Sequence, residues 1–248
     1  MYSKADLKEQ LLAIGVNPKG VLKVHFSYKA MGEVTGGPVA VFEALREYMA
    51  DGLLVIGTHT WRNVQPQNPV FDVLFTPSCI GVIPNVARLA EGGHRSLHPT
   101  HSVVAFGRGA ADFVAGEEQL MTPCGVGGVY HKLWAHDAQI LLVGVNFARN
   151  TFVHGIEEWD GAKGTISAVR GDYYTINHEG QRLFTPQYRH CARIGSETFT
   201  KLEPLAYAEG ILTFGKLGNA TTRLMSAKAL RGLVAPLLEA DPNYLNDY

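Results

Sequence analysis

The chain predicts an α/β fold: a central mixed, mostly parallel sheet flanked by helices, with a small antiparallel β appendage. Three observations carry that expectation. Strand-like runs at 21–27 and 52–58 enclose a helical repeat at 38–50, which is a βαβ pattern. Two more apolar runs of strand length, 102–107 and 138–145, stand among helix-like segments. Finally, 165–189 breaks into short β-like pieces separated by turn residues.

Taken in order, VLKVHFS (21–27) alternates partly and is rich in β-branched residues. Val41, Phe42, Ala44, Leu45, Tyr48 and Met49 then share one helical face, and Pro38 suits a first helical turn. GLLVIGT is a continuous apolar run, as expected of a strand covered on both faces. Helices are predicted at 82–90, 129–135 and 152–159, and strands at SVVAFG and AQILLVGV. In the appendage TISAV, YYTIN and RLFTP are divided at Arg170-Gly171-Asp172 and His178-Glu179-Gly180. Helices at 196–208 and 222–240 close the chain. No internal repeat, low-complexity tract or linker divides it, so residues 1–248 read as a single domain.

Composition narrows the function classes. Lys+Arg 22 against Asp+Glu 23 leaves a net charge of -1, so neither nucleic acid nor an anionic membrane meets a complementary field, and nor does a polycation. Cys79, Cys124 and Cys191 form no CxxC pair and leave an odd thiol, which suits a reducing cytosol. The N-terminus is charged where a signal peptide is apolar, and no run approaches the ~18 apolar residues of a membrane span. A soluble, cytoplasmic protein is expected.

Three constellations could carry chemistry. Ser27 ends a strand, and Gly32, Val34, Gly36 and Gly37 lead into a helix, a turn where backbone N–H groups can meet a phosphate; glycine turns before helices are also common without any ligand. Arg95, Ser96, His98 and Ser102 crowd donors and acceptors ahead of a strand, suited to an extended amide-bearing ligand or simply to capping backbone. His94, His98 and His101, with His59, raise the alternative of a metal-dependent hydrolase, although Pro99 interrupts their spacing and no HExxH pattern supports it. After the strand at 138–145, NTFVHGIEEW places His154 three and four residues from Glu157 and Glu158 on a helix. A carboxylate there can orient the imidazole, and Thr151 can offer its hydroxyl to an oxyanion.

These stretches together resemble the aminoglycoside 3-N-acetyltransferases, a coenzyme A-dependent family distinct from the GNAT fold. The likeness lies in VHFSYKAMGEVTGGP, GLLVIGTHTW, FDVLFTPSCIGVIPNVAR, RSLHPTHSVVAFG, TPCGVGG and ILLVGVNFARNTFVHGIEEW, from about Val21 to Trp159. The resemblance implies acetyl-CoA as donor cosubstrate and a small-molecule amine as acceptor, with room for a homodimer. It implies His154 as general base with Glu157 and Thr151 beside it, and no catalytic metal. Coenzyme A would lie on Ser27, Gly32, Val34, Gly36 and Gly37 and on Arg95, Ser96, His98 and Ser102; Asn85, Asp72 and Glu158 are the expected acceptor contacts. Two positions depart from the family pattern: Asn85 stands where many members carry glutamate, and Gly128 where serine is usual. They motivate a further alternative, a coenzyme A-binding member that has lost catalysis.

Overall fold

The computed structural model describes residues 1–191 and 196–246. The chain opens with helix α1 (Lys4–Ile14), absent from the sequence expectation. Ser3 and Asp6 cap it reciprocally, Gly15 ends it at φ 93°, and Leu7, Leu11 and Ile14 line its buried face. Strand β1 (Val21–Phe26), helix α2 (Gly37–Tyr48) and strand β2 (Leu53–Gly57) form the expected βαβ unit. Then come β3 (Val70–Asp72), α3 (Val82–Arg88), β4 (His94–Arg95), β5 (Val103–Gly107), α4 (Ala110–Val114), α5 (Val129–Ala135), β6 (Gln139–Val143) and α6 (Thr151–Trp159). The last part holds β7 (Ile166–Gly171), β8 (Tyr174–Ile176), β9 (Arg182–Phe184), β10 (Gln187–His190), α7 (Leu202–Ala208), β11 (Thr213–Leu217), β12 (Ala220–Ser226) and α8 (Ala227–Ala240).

The main sheet is mixed, in the order β11-β12-β6-β1-β2-β5-β4. Parallel pairing is confined to its centre, β6-β1-β2, and the strands outside that trio pair antiparallel. The parallel share is therefore smaller than the sequence suggested, because β5 and β12 come in antiparallel to β2 and β6 after long excursions, and each pairs antiparallel with its outer neighbour, β4 or β11, across a short connection. One such connection is the β11–β12 hairpin, whose loop is Gly218-Asn219 with Gly218 at φ 58°. Residues 222–226, expected to open the last helix, belong to β12 instead. Their alternating burial is paired to β6, and Ser226 caps α8 at the residue where the helix begins.

Two helical layers cover the sheet. Leu22, Val24, Leu54, Ile56, Leu141 and Val143 face α1, α2 and α3. Val55, Val103, Ala105, Ile140 and Leu142 face the helices from α4 onward. Truncating any of the leucines or isoleucines among these to alanine should cost roughly 2–5 kcal/mol. The appendage is two small sheets. β7 pairs antiparallel with β10, while β8 pairs antiparallel with β9 and parallel with β3, which comes from far upstream. Val64, Phe71, Val73 and Tyr173 form its own apolar cluster. Among the described residues, no helix is long and apolar enough to cross a membrane.

Candidate active site

A cleft of about 640 Å³ opens where the parallel strands end. Phe26 and Ser27 border it from β1, Gly57 and His59 from β2, and Val145 from beyond β6. That is the crevice at strand carboxyl ends where open α/β sheets bind ligands. Thr151 and His154 border it from the first turns of α6. Helix α6 sits there because Phe152, Val153 and Ile156 bury one face against the core, which leaves His154 on the cleft side.

His154 Nδ1 lies 2.7 Å from Glu157 Oε2, one helical turn on. A carboxylate only accepts, so Nδ1 carries the proton and Nε2 keeps the lone pair a general base needs. The Glu157 side chain is 4% exposed against 18% for His154, so the acid lies beneath and the imidazole at the surface of the cleft.

The structure adds a second pair that the sequence did not suggest. His190, at the end of β10, stacks on His154 with ring centroids 4.2 Å apart and an interplanar angle of 29°. Its Nε2 donates to Glu158 Oε1 over 2.7 Å, and the same oxygen accepts from the Cys124 backbone N–H at 3.0 Å. Phe199 meets the other side of His154 edge-on at 4.7 Å. The ring is thus fixed by a carboxylate, a stacked imidazole and a phenyl edge. Burial pushes the imidazoles of His25, His59, His101 and His190 well below their ordinary range, and His98 to about 4. Around His154 the histidines are therefore neutral.

The other expected site residues take different places. Of the first cofactor stretch, Ser27 borders the cleft. Gly32, at φ 74°, packs its bare Cα against the Asn219 side chain, and Val34 bridges to Tyr2, so both brace the loop rather than face the cavity. Gly36 and Gly37 supply the positive φ angles, 82° and 64°, that start α2. Of the second stretch, none of Arg95, Ser96, His98 and Ser102 borders the cleft. Arg95 donates to the carbonyls of Val73, Thr76 and Thr58 and lies over Phe71, while Ser96 accepts from Val103 N–H. His98 Nδ1 accepts from two backbone N–H groups, and Ser102 Oγ donates to Thr58 O. Their polarity satisfies the backbone of the loops that frame the site.

Nor does any of the expected acceptor contacts border the cleft. Asn85 bonds both its amide ends to the Ser78–Gly81 loop and to Arg88, Asp72 caps the turn at Leu74 and Phe75, and Glu158 lies behind His190. What borders the cleft instead is Trp61, Arg62, Arg149 and Arg189, with Cys79 and Cys191. Of these, Trp61, Cys79 and Arg149 fall in stretches that carried the resemblance, whereas Arg62, Arg189 and Cys191 do not. Of the histidines behind the hydrolase alternative, His59 and His98 each lie beside His101, with ring centroids 4.9 and 5.8 Å apart, but their ring nitrogens are not grouped as a metal set. Among the described residues, the side chains grouped closely enough to hold a metal are Cys124, Glu158 and His190, with ligand atoms within 4.8 Å of one another.

A family model described as aminoglycoside 3-N-acetyltransferase matches residues 24–239. Aminoglycoside N(3)-acetyltransferase IV of Salmonella sp is 28% identical over 246 residues, 97% of this chain and 89% of the relative. The SPbeta prophage-derived aminoglycoside N(3')-acetyltransferase-like protein YokD of Bacillus subtilis (strain 168) is 26% identical, covering 90% of this chain and 88% of its own. Among solved structures, aminoglycoside acetyltransferase AAC(3)-IVa in complex with apramycin superposes with a TM-score of 0.81 at 26% identity, covering 98% of this chain and 94% of that one. AAC-IIIb with CoASH shares the fold at TM-score 0.84 and 22% identity, with 96% of each chain covered.

Proposed function

Because the chain belongs to the aminoglycoside 3-N-acetyltransferase family, a family whose acyl donor is acetyl-CoA, we propose that its cleft acetylates a primary amine of an aminoglycoside or related amino sugar, with His154 as general base. The observation that carries this reading is the His154–Glu157 pair at the cleft surface, 2.7 Å apart. An ammonium has no lone pair; His154 Nε2 takes its proton so that the nitrogen can attack a carbonyl. Glu157 holds the imidazole in the tautomer that leaves Nε2 free and offsets the positive charge the ring acquires. Thr151, at the N-terminus of α6 on the same cleft, offers its hydroxyl to the oxyanion.

The residues present fit the donor. The cleft volume is that of a small-molecule site. Gly57 leaves its floor open: a Cβ there would stand 3.0 Å from Lys23 Nζ and 3.1 Å from His59 Nε2. Bound acetyl-CoA supplies the activated acetyl group. Ser27 and Arg149 border the cleft where the phosphopantetheine arm would enter, and Arg149 also borders an adjoining groove with Asn146, Asn219 and Arg223. Transfer is by direct attack. Cys124 is buried, its thiol pushed well above the ordinary range by that burial, and the Cys79 thiol is raised for the same reason, so neither is an activated nucleophile.

The test is thiol release from acetyl-CoA against a panel of amines. His154→Ala should lower kcat by about 10²–10⁴-fold while acetyl-CoA affinity, measured by titration calorimetry, is kept. Loss of cofactor binding in that variant would reassign the residue. Cofactor binding without turnover by the unmodified enzyme on any amine would mean that catalysis has been lost.

A further inference from the structure

The charge around the cleft points to the kind of amine it accepts. Three arginines border it, Arg62, Arg149 and Arg189, and no aspartate or glutamate does among the described residues. Arg149 is engaged elsewhere, since it pairs with Glu197 and borders the adjoining groove assigned above to the donor. Arg62 and Arg189 border the cleft but not that groove. Arg62 is exposed, its guanidinium lies over the Trp61 ring at 5.0 Å, and it has no ion pair among the described residues. Arg189 is held in place by neutral acceptors, donating to Gln65 Oε1 at 2.6 Å and to Trp61 O at 2.7 Å. Both therefore gather on Trp61, Arg62 over its ring and Arg189 at its carbonyl, at one wall of the cleft.

The nearby carboxylates are committed. Glu157 faces His154, Glu158 faces His190 and the Cys124 backbone, and Asp72 caps its own turn. Asn85 carries no charge and turns its amide to backbone. A multiply protonated amine would therefore meet two like charges and no counter-charge. An amine that also carries a phosphate or carboxylate would meet a guanidinium pair built to receive it.

We propose that the acceptor is an amine bearing an anionic group, a phosphorylated or carboxylated amino sugar, with Arg62 and Arg189 binding the anion while His154 deprotonates the amine. This rests on the acetyltransferase reading above and narrows its substrate. The anion sets which amine is bound and oriented; the chemistry at nitrogen is unchanged.

The experiment compares glucosamine, glucosamine 6-phosphate, glucosaminuronate and gentamicin as acceptors, by thiol release and by calorimetric binding to the enzyme–CoASH complex. At least one of the two anionic amines should exceed glucosamine by tenfold or more in kcat/KM, and gentamicin should be the poorest; which anionic amine wins separates phosphate from carboxylate. Arg62→Glu should reverse that order and leave acetyl-CoA affinity unchanged, and its exposed position makes misfolding an improbable cause. Gentamicin matching or exceeding the anionic amines would overturn the proposal, as would an Arg62→Glu defect confined to acetyl-CoA binding, which would give the arginine to the donor. If no amine turns over, the acetyltransferase reading fails separately, and binding still decides: an anionic amine bound no better than glucosamine refutes the guanidinium pair.

Discussion

Replacing Lys23 by Met should stabilise the protein, and by an amount that depends on pH. Lys23 lies in the middle of β1, paired with Val55 on one side and Ile140 on the other, with no exposed surface. Its Nζ has no hydrogen-bond partner among the described residues, and burial lowers its pKa from 10.5 to about 7. For a lysine with a depressed folded value the penalty is complete below the folded pKa and fades as pH rises towards the unfolded one. At about 1.4 kcal/mol per pH unit, that is roughly 5 kcal/mol near pH 6 and roughly 2 kcal/mol near pH 9. Met fills nearly the same volume without a charge to desolvate. Urea unfolding followed by circular dichroism at both pH values gives the comparison directly. The gain from Lys23→Met should shrink by about 3 kcal/mol between them. A gain independent of pH, or a loss at pH 6, would show that Nζ is satisfied and that the burial argument is mistaken.

Two more predictions concern the site and its frame. His190→Ala removes the ring stacked on His154 and should lower kcat by roughly 10- to 100-fold through misplacement of the base, whereas His190→Phe restores a stacking face and should recover most of that loss; a Phe variant no better than Ala would mean stacking does not matter. Gly128→Ser should destabilise by about 1–3 kcal/mol, because a Cβ there would crowd Leu120 Cδ1 and stand 2.6 Å from Glu117 Oε1, which already accepts from Val129 N–H at the start of α5. Thermal unfolding of Gly128→Ser beside the unmodified protein checks it; an unchanged or raised Tm would show that the neighbouring side chains give way at no cost.

The central βαβ unit was legible because α2 and the flanking strands each bury a periodic or continuous apolar pattern. The β11–β12 hairpin was written just as locally, in Gly218-Asn219 between two short runs, but Thr222 to Ser226 also continue a helix-like pattern into α8, and only pairing with β6 decides between them. Helix α1 carried its own cap in Ser3 and Asp6, but its charged residues dilute the signal of its three buried apolar positions. At the site, His154 and Glu157 could be paired from spacing alone because both lie on α6. His190 could not. It is 36 positions away, and it reaches His154 only because β10 folds back across the appendage to β7. The RSLHPTHS stretch is ambiguous for a different reason: a polar loop beside a strand reads the same whether its side chains face a ligand or satisfy backbone, and here they bond backbone.

That distinction also governs the charge of the cleft. A net charge of -1 gives no preference for an anion, and a field near a site is set by where charges point rather than by their sum. Glu117 caps α5, Glu157 and Glu158 each hold an imidazole, and Arg95, the arginine expected to face a ligand, is buried against carbonyls. Burial meanwhile keeps the neighbouring histidines uncharged, so they neither add to nor cancel the local field. What a ligand meets is then decided by Arg62, Arg149 and Arg189, three residues from separate loops and strands that no motif joins. Selectivity for an anionic amine follows from that arrangement, and it should weaken with added salt, because Arg62 is open to solvent and its attraction is screened within about 10 Å at 0.1 M ionic strength.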